Sequence, residues 1–302
     1  MIAIALSGHE IRYIIWESEG EEVQLIACQV MPWEHEVDPF QNTAQIRNII
    51  GQIIAESPNN LETPVFLAVD ANFFHFSLLE IDPLWDPREQ LEFIFQNRFG
   101  ENEPLYSSFQ FPLAALPGWY LNIDCPTVFR RAFQSSLPLL QGNGHYLSVG
   151  VFSAYSYASR VVPALQRGRR LFWRASEHGL DHFLEIEDGE FKALHFFQRD
   201  ETAVRHLSTV GKSHLQKPIS TFIEEVSEGR EAVFPEVENI FVYQGSGSPQ
   251  FLERVWSIEQ SALSLMNPFW RWNWPDVPEA DNRFTQSAFT ELADAVWMAR
   301  NV

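Results

Sequence analysis

The sequence predicts an α/β fold with α+β elements, built by duplicating a hairpin-led sheet and carrying a small inserted subdomain. Three observations predict it. Met1–Pro32 reads as strand, tight turn, strand, loop, strand: Ser7-Gly8-His9-Glu10 separates apolar Ile2–Leu6 from Ile11–Trp16, and Gly20 precedes Val23–Val30. A weaker echo lies at Leu171–Gln198, where Leu171–Arg174, a Ser176–Gly179 break, His182–Ile186, an Asp188-Gly189 turn and Phe191–Phe197 repeat that order. Between the two openings, the stretch from Phe74 to about Gln141 reads strand, helix, strand, strand, helix, a different order that marks an insertion.

Composition bounds the function. The chain of 302 residues is long enough for two domains, expected at 1–165 and 166–302, and 45% hydrophobic content supports a real core. A formal net charge of −19 argues against nucleic acid and anionic lipid, which attract Lys/Arg patches. Cys28 and Cys125 sit in apolar runs without metal spacing, as buried free thiols of a reducing compartment would. The start MIAIALSGHEI lacks a basic n-region and a long apolar core, and no apolar run reaches the roughly 18 residues of a membrane span, so a soluble cytoplasmic protein is expected.

Each element has its own signal. Ile46, Ile49, Ile50, Ile53 and Ile54 give Gln41–Glu56 one apolar helical face. Thr63–Asp70 (TPVFLAVD) is suited to a buried strand, and Phe74–Ile81 to a second one. Pro87 opens a helix to Phe99, Pro117-Gly118 turns a hairpin between Ser107–Leu113 and Trp119–Ile123, and Thr127 starts another helix. Beyond it, Tyr146–Phe152 reads as strand and Ser153–Leu165 as helix, with Arg167-Gly168-Arg169-Arg170 as a solvated link between halves. In the second half, Glu201–Val210, Ile219–Gly229, Gln250–Ser264 and Phe284–Ala299 read as helices and Glu238–Tyr243 as a strand ending in a Gly-rich turn. Asn267–Pro278 is a Trp-rich irregular segment.

In this order the chain resembles the actin-like (ribonuclease H-like) superfamily, which includes sugar kinases, heat-shock ATPases, the cell-division protein FtsA, type IV pilus assembly proteins of the PilM kind and the cytoplasmic part of type II secretion GspL. Ile4–Trp16 (IALSGHEIRYIIW) sits where that superfamily has its first phosphate loop, and Leu171–Gly189 where it has the second. The stretch Phe74–Gln141, with PREQLEFIFQNRFG and CPTVFRRAF, resembles the inserted subdomain of FtsA and PilM. Ile240–Phe251 (IFVYQGSGSPQF) resembles the strand and turn over the adenosine, and Asn267-Pro268-Phe269 an NPF-like segment before the last helix. The loops depart from the pattern. Where the family carries aspartates that hold a metal, this sequence has Ala5, with Ser7 at the following glycine place, and Ala175, followed by Glu177. Alanine offers Mg²⁺ no oxygen, and Glu177 places negative charge where phosphate would lie.

The resemblance therefore implies a non-hydrolysing scaffold with no cofactor, which binds the cytoplasmic tail of a PilN-like inner-membrane protein in a type IV pilus or type II secretion-like assembly. The alternative is an ATPase or kinase with diverged loops, using Mg-ATP and contacting nucleotide through Ser7, Gly8, Arg12, Gly179, Gly245, Ser246 and Gly247. A third reading is a structural relative serving an unrelated assembly. Phe269, Trp272 and Trp274 are the candidate interaction patch, provided that they are exposed. Other chemistry is disfavoured. His178 and His182 fall on strand and turn, where four residues span about 13 Å, and no histidine follows Ser246 to complete a hydrolase triad.

Overall fold

The structure, a computed structural model, describes residues 1–19, 22–38, 40–56, 64–100, 105–136, 146–200, 203–247, 249–257, 263–269 and 283–300. Its contacts divide the chain into two units. The larger comprises residues 1–36, 64–70 and 144–302, and the smaller residues 37–63 and 71–143.

The larger unit holds two sheets of one topology. In the first, β1 (Ile2–Leu6) pairs antiparallel with β2 (Glu10–Glu19), and β2 with β3 (Glu22–Pro32). Strand β1 also pairs parallel with β4 (Val65–Val69), which pairs parallel with β8 (Tyr146–Val149), giving the order β3-β2-β1-β4-β8. The second sheet repeats this with β9 (Arg169–Ala175), β10 (Leu180–Glu187), β11 (Glu190–Arg199), β13 (Asn239–Gln244) and β14 (Leu263–Leu265), and adds β12 (Val204–Gly211) outside β11. The duplication read from the two hairpin openings is therefore present strand for strand. The β1 and β4 runs are buried along their whole length, as parallel strands covered on both faces require. Asp188 and Gly189, both at positive φ, make the tight turn of the β10–β11 hairpin.

Five expectations need correction. Residues 204–210 form strand β12, because pairing with β11 from Ala193↔Gly211 to Arg199↔Val204 overrides the three-residue spacing of Val204, Leu207 and Val210. The strand beginning at Tyr146 stops at Val149, and α4 (Gly150–Val161) starts at once; the Glu291 carboxylate fills the space that a Cβ at Gly150 would take. Helix α6 (Gln250–Ser257) is shorter than expected, and Leu263–Leu265 is the strand that pairs with β13. The closing helix is broken into α7 (Arg283–Ser287), a 3-10 turn at Thr290–Leu292 and α8 (Ala293–Arg300). At the break the Thr290 hydroxyl donates to the Ser287 carbonyl one turn back at 2.6 Å and to the distant Met266 carbonyl at 3.2 Å. The basic cluster also differs from a solvated link. Arg169 lies in β9 and pairs with Glu187 at 2.5 Å, and Arg170 pairs with Glu238 at 2.8 Å.

Each sheet has its own core. Leu171, Trp173 and Phe183 pack with Ile219, Phe222 and Ile223 of α5 (Gln216–Ser227) and with Phe251 and Leu252 of α6. Ala3, Ala5, Ile14 and Trp16 of the first sheet pack with Phe269, Phe289, Leu292 and Val296. The C-terminal segment thus covers the first sheet, which carries it back past the end of the second. Cys28 and Cys125 are free and buried, and burial pushes their thiols up to about 11 and about 12. Among the described residues, no helix is long and apolar enough to cross a membrane.

The smaller unit contains α1 (Thr43–Glu56), α2 (Pro87–Phe99), α3 (Thr127–Ser136) and a three-stranded sheet of β5 (His75–Glu80), β6 (Tyr106–Pro112) and β7 (Trp119–Pro126) in the order β5-β7-β6. The strand, helix, strand, strand, helix order expected of the insertion is the order found. Asp86 caps α2 by accepting from Arg88 N and Glu89 N, with Pro87 in the first turn.

Candidate functional site

Within the larger unit, three turns flagged by the sequence converge: residues 7–9 between β1 and β2, residues 176–179 between β9 and β10, and residues 245–247 after β13. Each lies where the duplicated topology brings a strand end to the facing sheet. The Ser7 hydroxyl closes its own turn, donating to the Glu10 carbonyl at 3.0 Å and accepting from Glu10 N at 3.1 Å. The second and third turns are fastened by the Ser176–Ser246 hydroxyl pair at 2.6 Å and by Glu177 N donating to the Ser246 carbonyl at 2.9 Å. The first and third meet through Glu10, whose Oε2 accepts from Gly247 N at 3.1 Å. His9 stacks on His178 with ring centroids 3.9 Å apart, and burial, reinforced by the His178 charge, lowers the pKa of His9.

Arg12 and Glu10 form the centre of this junction. The Arg12 guanidinium pairs with the Glu10 carboxylate and donates to the carbonyls of Ala288 at 2.6 Å and Gln244 at 3.3 Å. It is thus anchored to the C-terminal segment and to β13 at once. Gly247 has a φ of +83°, and a Cβ there would run into the Glu177 side chain. Its glycine is required by the turn and by Glu177.

A second buried charge cluster lies beneath the junction. Arg174, 2% exposed, pairs through Nη2 with Asp70 at 2.9 Å and through Nε with Glu291 at 2.8 Å. The Tyr243 hydroxyl donates to Glu291 Oε1 at 3.0 Å, and His182 Nδ1 lies 3.7 Å from Asp70. Burial works against the Arg174 charge, but Asp70 and Glu291 outweigh it and hold the guanidinium above its ordinary range. Burial and the Glu291 charge together push Tyr243 well up. Burial pushes His182 down to about 4, against Asp70 and with Arg174, so the imidazole is neutral at neutral pH. Glu291 also meets the start of α4, where Ser153 Oγ donates to its carbonyl at 2.7 Å. Four elements and the turn that carries Glu291 are bound by this one cluster.

The sequence-flagged Ser7, Arg12, Gly245, Ser246 and Gly247 thus lie together, and Gly8 shares their first turn. Gly179 closes the second turn, its N–H donating to the Ser176 carbonyl at 3.1 Å and its carbonyl accepting from Arg199 N. Phe269 is only 1% exposed and belongs to the first sheet's core, so its ring is not part of a surface patch. Trp272 and Trp274 lie outside the described residues. Sequence reasoning passed over Glu10, Asp70, Arg174, Tyr243 and Glu291. One signal was available: a charged residue inside an apolar run, as in LFWRA at Arg174 and LAVD at Asp70, must find a buried partner.

The chemistry open to this arrangement is limited by its own hydrogen bonds. A phosphate at such turns needs free backbone N–H groups. Here Gly247 N is committed to a carboxylate, Gly245 N to the Ala175 carbonyl at 2.6 Å and Glu177 N to Ser246. Ala5 and Ala175 are buried at the strand ends and offer no oxygen to a cation. These residues do not fit a magnesium-bound triphosphate in the arrangement described.

Two sheets with one strand order, joined at facing turns, define a duplicated fold; the chain has the fold of the actin-like ATPase superfamily. Among solved structures it is similar to the PilM–PilN type IV pilus biogenesis complex, with a TM-score of 0.53 and 12% identity over 99% of this chain and 97% of that one. It is also similar to the cytoplasmic domain of EpsL, an inner-membrane component of the Vibrio cholerae type II secretion system (TM-score 0.42, 10% identity, 96% and 93% covered). A third similar structure is an inorganic polyphosphate/ATP-glucomannokinase from Arthrobacter sp. strain KM (TM-score 0.43, 12% identity, 98% of each chain). No family model matches the chain, and no curated protein does.

Proposed function

We propose that the protein is a non-hydrolysing, actin-like scaffold of the cytoplasm that binds the cytoplasmic tail of an inner-membrane protein and so helps tether a type IV pilus or type II secretion-like assembly. The observation that carries this reading is Glu10. Its carboxylate takes the Gly247 N–H and pairs with Arg12, so the protein's own charges occupy the contacts that a nucleotide phosphate would use. The full-length likeness of fold to the PilM–PilN complex supports a role in recognition. A tail bearing Lys or Arg suits the net charge of −19, which steers encounter more than it sets affinity. An extended tail in an apolar groove would gain main-chain hydrogen bonds and side-chain pockets.

A second reading, a nucleotide-binding ATPase or kinase, draws on the convergence of Arg12 with the Gly245-Ser246-Gly247 turn. One titration separates the two. A peptide of the cytoplasmic tail of a single-span protein encoded beside this one is titrated into the chain with and without Mg-ATP. The scaffold reading expects saturable binding that is indifferent to nucleotide; nucleotide-dependent binding accompanied by phosphate release would sink it.

A further inference from the structure

We infer that the outer surface at the start of α2 is a docking site for a basic amphipathic helix of a protein partner. In the smaller unit Leu84 is 94% exposed, Phe93 53% and Trp85 41%. Large apolar side chains at such exposure are ordinary when scattered, but these three are grouped. Trp85 and Phe93 rings lie 5.5 Å apart, and Leu84 adjoins Trp85 in the chain. The group is held in place without a partner. Asp82 accepts from Leu84 N through Oδ1 at 2.8 Å and from Trp85 N through its carbonyl at 3.1 Å, while its own N–H donates to Gln90 Oε1 at 2.9 Å. A preformed apolar protrusion avoids much of the ordering cost of binding.

Helix α2 has the other half of the pattern. None of its residues is buried, and Phe93 shares its exposed face with Glu89 and Glu92. Helices of this length owe most of their stability to packing an apolar face. This one keeps an aromatic residue on its outer side beside two carboxylates. Residues 82–92 carry four carboxylates against the one arginine, Arg88. Among the described residues, neither Glu89 nor Glu92 enters an ion pair.

The charge selects the occupant. An anionic bilayer would accept Leu84, Trp85 and Phe93 but would be repelled by the carboxylates around them. A second copy of this chain brings another net charge of −19 to the contact. A helix with one apolar stripe and flanking Lys or Arg satisfies both halves: its stripe covers the aromatic pair and its cations meet Glu89 and Glu92.

The test titrates the full chain with a synthetic helical peptide of leucine and lysine, with a leucine–glutamate peptide of the same pattern as its control. The lysine peptide should bind, the glutamate peptide should not, and added salt should weaken binding. Leu84→Ser, Phe93→Ser and the pair Glu89→Lys with Glu92→Lys should each weaken it by about tenfold or more. These side chains are exposed, so circular dichroism of each variant should match the parent. Failure of the lysine peptide to bind, or equal binding by the variants, would overturn the inference. So would Leu84-dependent pelleting with phosphatidylcholine–phosphatidylglycerol vesicles, or a Leu84-dependent dimer in sedimentation, each of which reassigns the surface.

Discussion

Replacing Arg174 by methionine tests how much of the larger unit depends on its buried charge cluster. Methionine keeps most of the volume of the side chain and removes its charge. Asp70 and Glu291, 3% exposed each, would then lose the guanidinium that lies 2.9 and 2.8 Å from them. Removing one partner of a buried ion pair costs about 3–5 kcal/mol, because the remaining charge stays desolvated. For a domain of this size each kcal/mol lowers the melting temperature by roughly 2–4 °C, so Arg174→Met should lower it by roughly 10 °C. Adding Asp70→Asn and Glu291→Gln should recover a large part of the loss, since the cost is one of unpaired charge. Thermal unfolding followed by circular dichroism, with a urea series beside it, reads both effects. A loss below about 1 kcal/mol, or a triple variant no better than the single one, would refute the reasoning.

Two further perturbations follow from the same junction. His182 is held neutral by burial, with its folded pKa at about 4 against an ordinary 6.5. As pH falls below 6.5 the unfolded chain takes up a proton that the folded chain refuses until about 4, so stability is lost across that window. The full loss is about 3 kcal/mol relative to His182→Gln, whose urea midpoint should fall less steeply; parallel curves would contradict this. Gly247→Ala should cost roughly 1–3 kcal/mol in a urea titration, because alanine at a φ of +83° must also displace Glu177; a neutral effect would mean that the turn can relax.

The frame of this fold was legible where the signal is local. Asp188-Gly189, Pro87 and the unbroken apolar runs of β1 and β4 dictate a turn, a helix start and buried strands from their own chemistry. The duplication of the sheets was legible from hairpins that come in the same order twice, whereas their full strand order was not. Legibility failed where a distant partner decides. Strand β12 depends on β11, Gly150 at the start of α4 packs against Glu291, and Thr290 at the break in the last helix bonds to Met266. The site divides the same way. Its turns stood out through Ser7, Gly179 and Gly245–Gly247, whereas Glu10 and Arg174 read as ordinary polar positions until their partners, 237 and 117 residues away, were in place.

The central claim is that Glu10 and Arg12 take the contacts a nucleotide would need. Calorimetric titration with Mg-ATP, paired with a phosphate-release assay on the same sample, tests it most directly. The account predicts no saturable heat and no metal-dependent turnover, for the native chain and for Gly247→Ala alike. Micromolar binding of Mg-ATP that Gly247→Ala abolishes, with turnover that requires the metal, would contradict it.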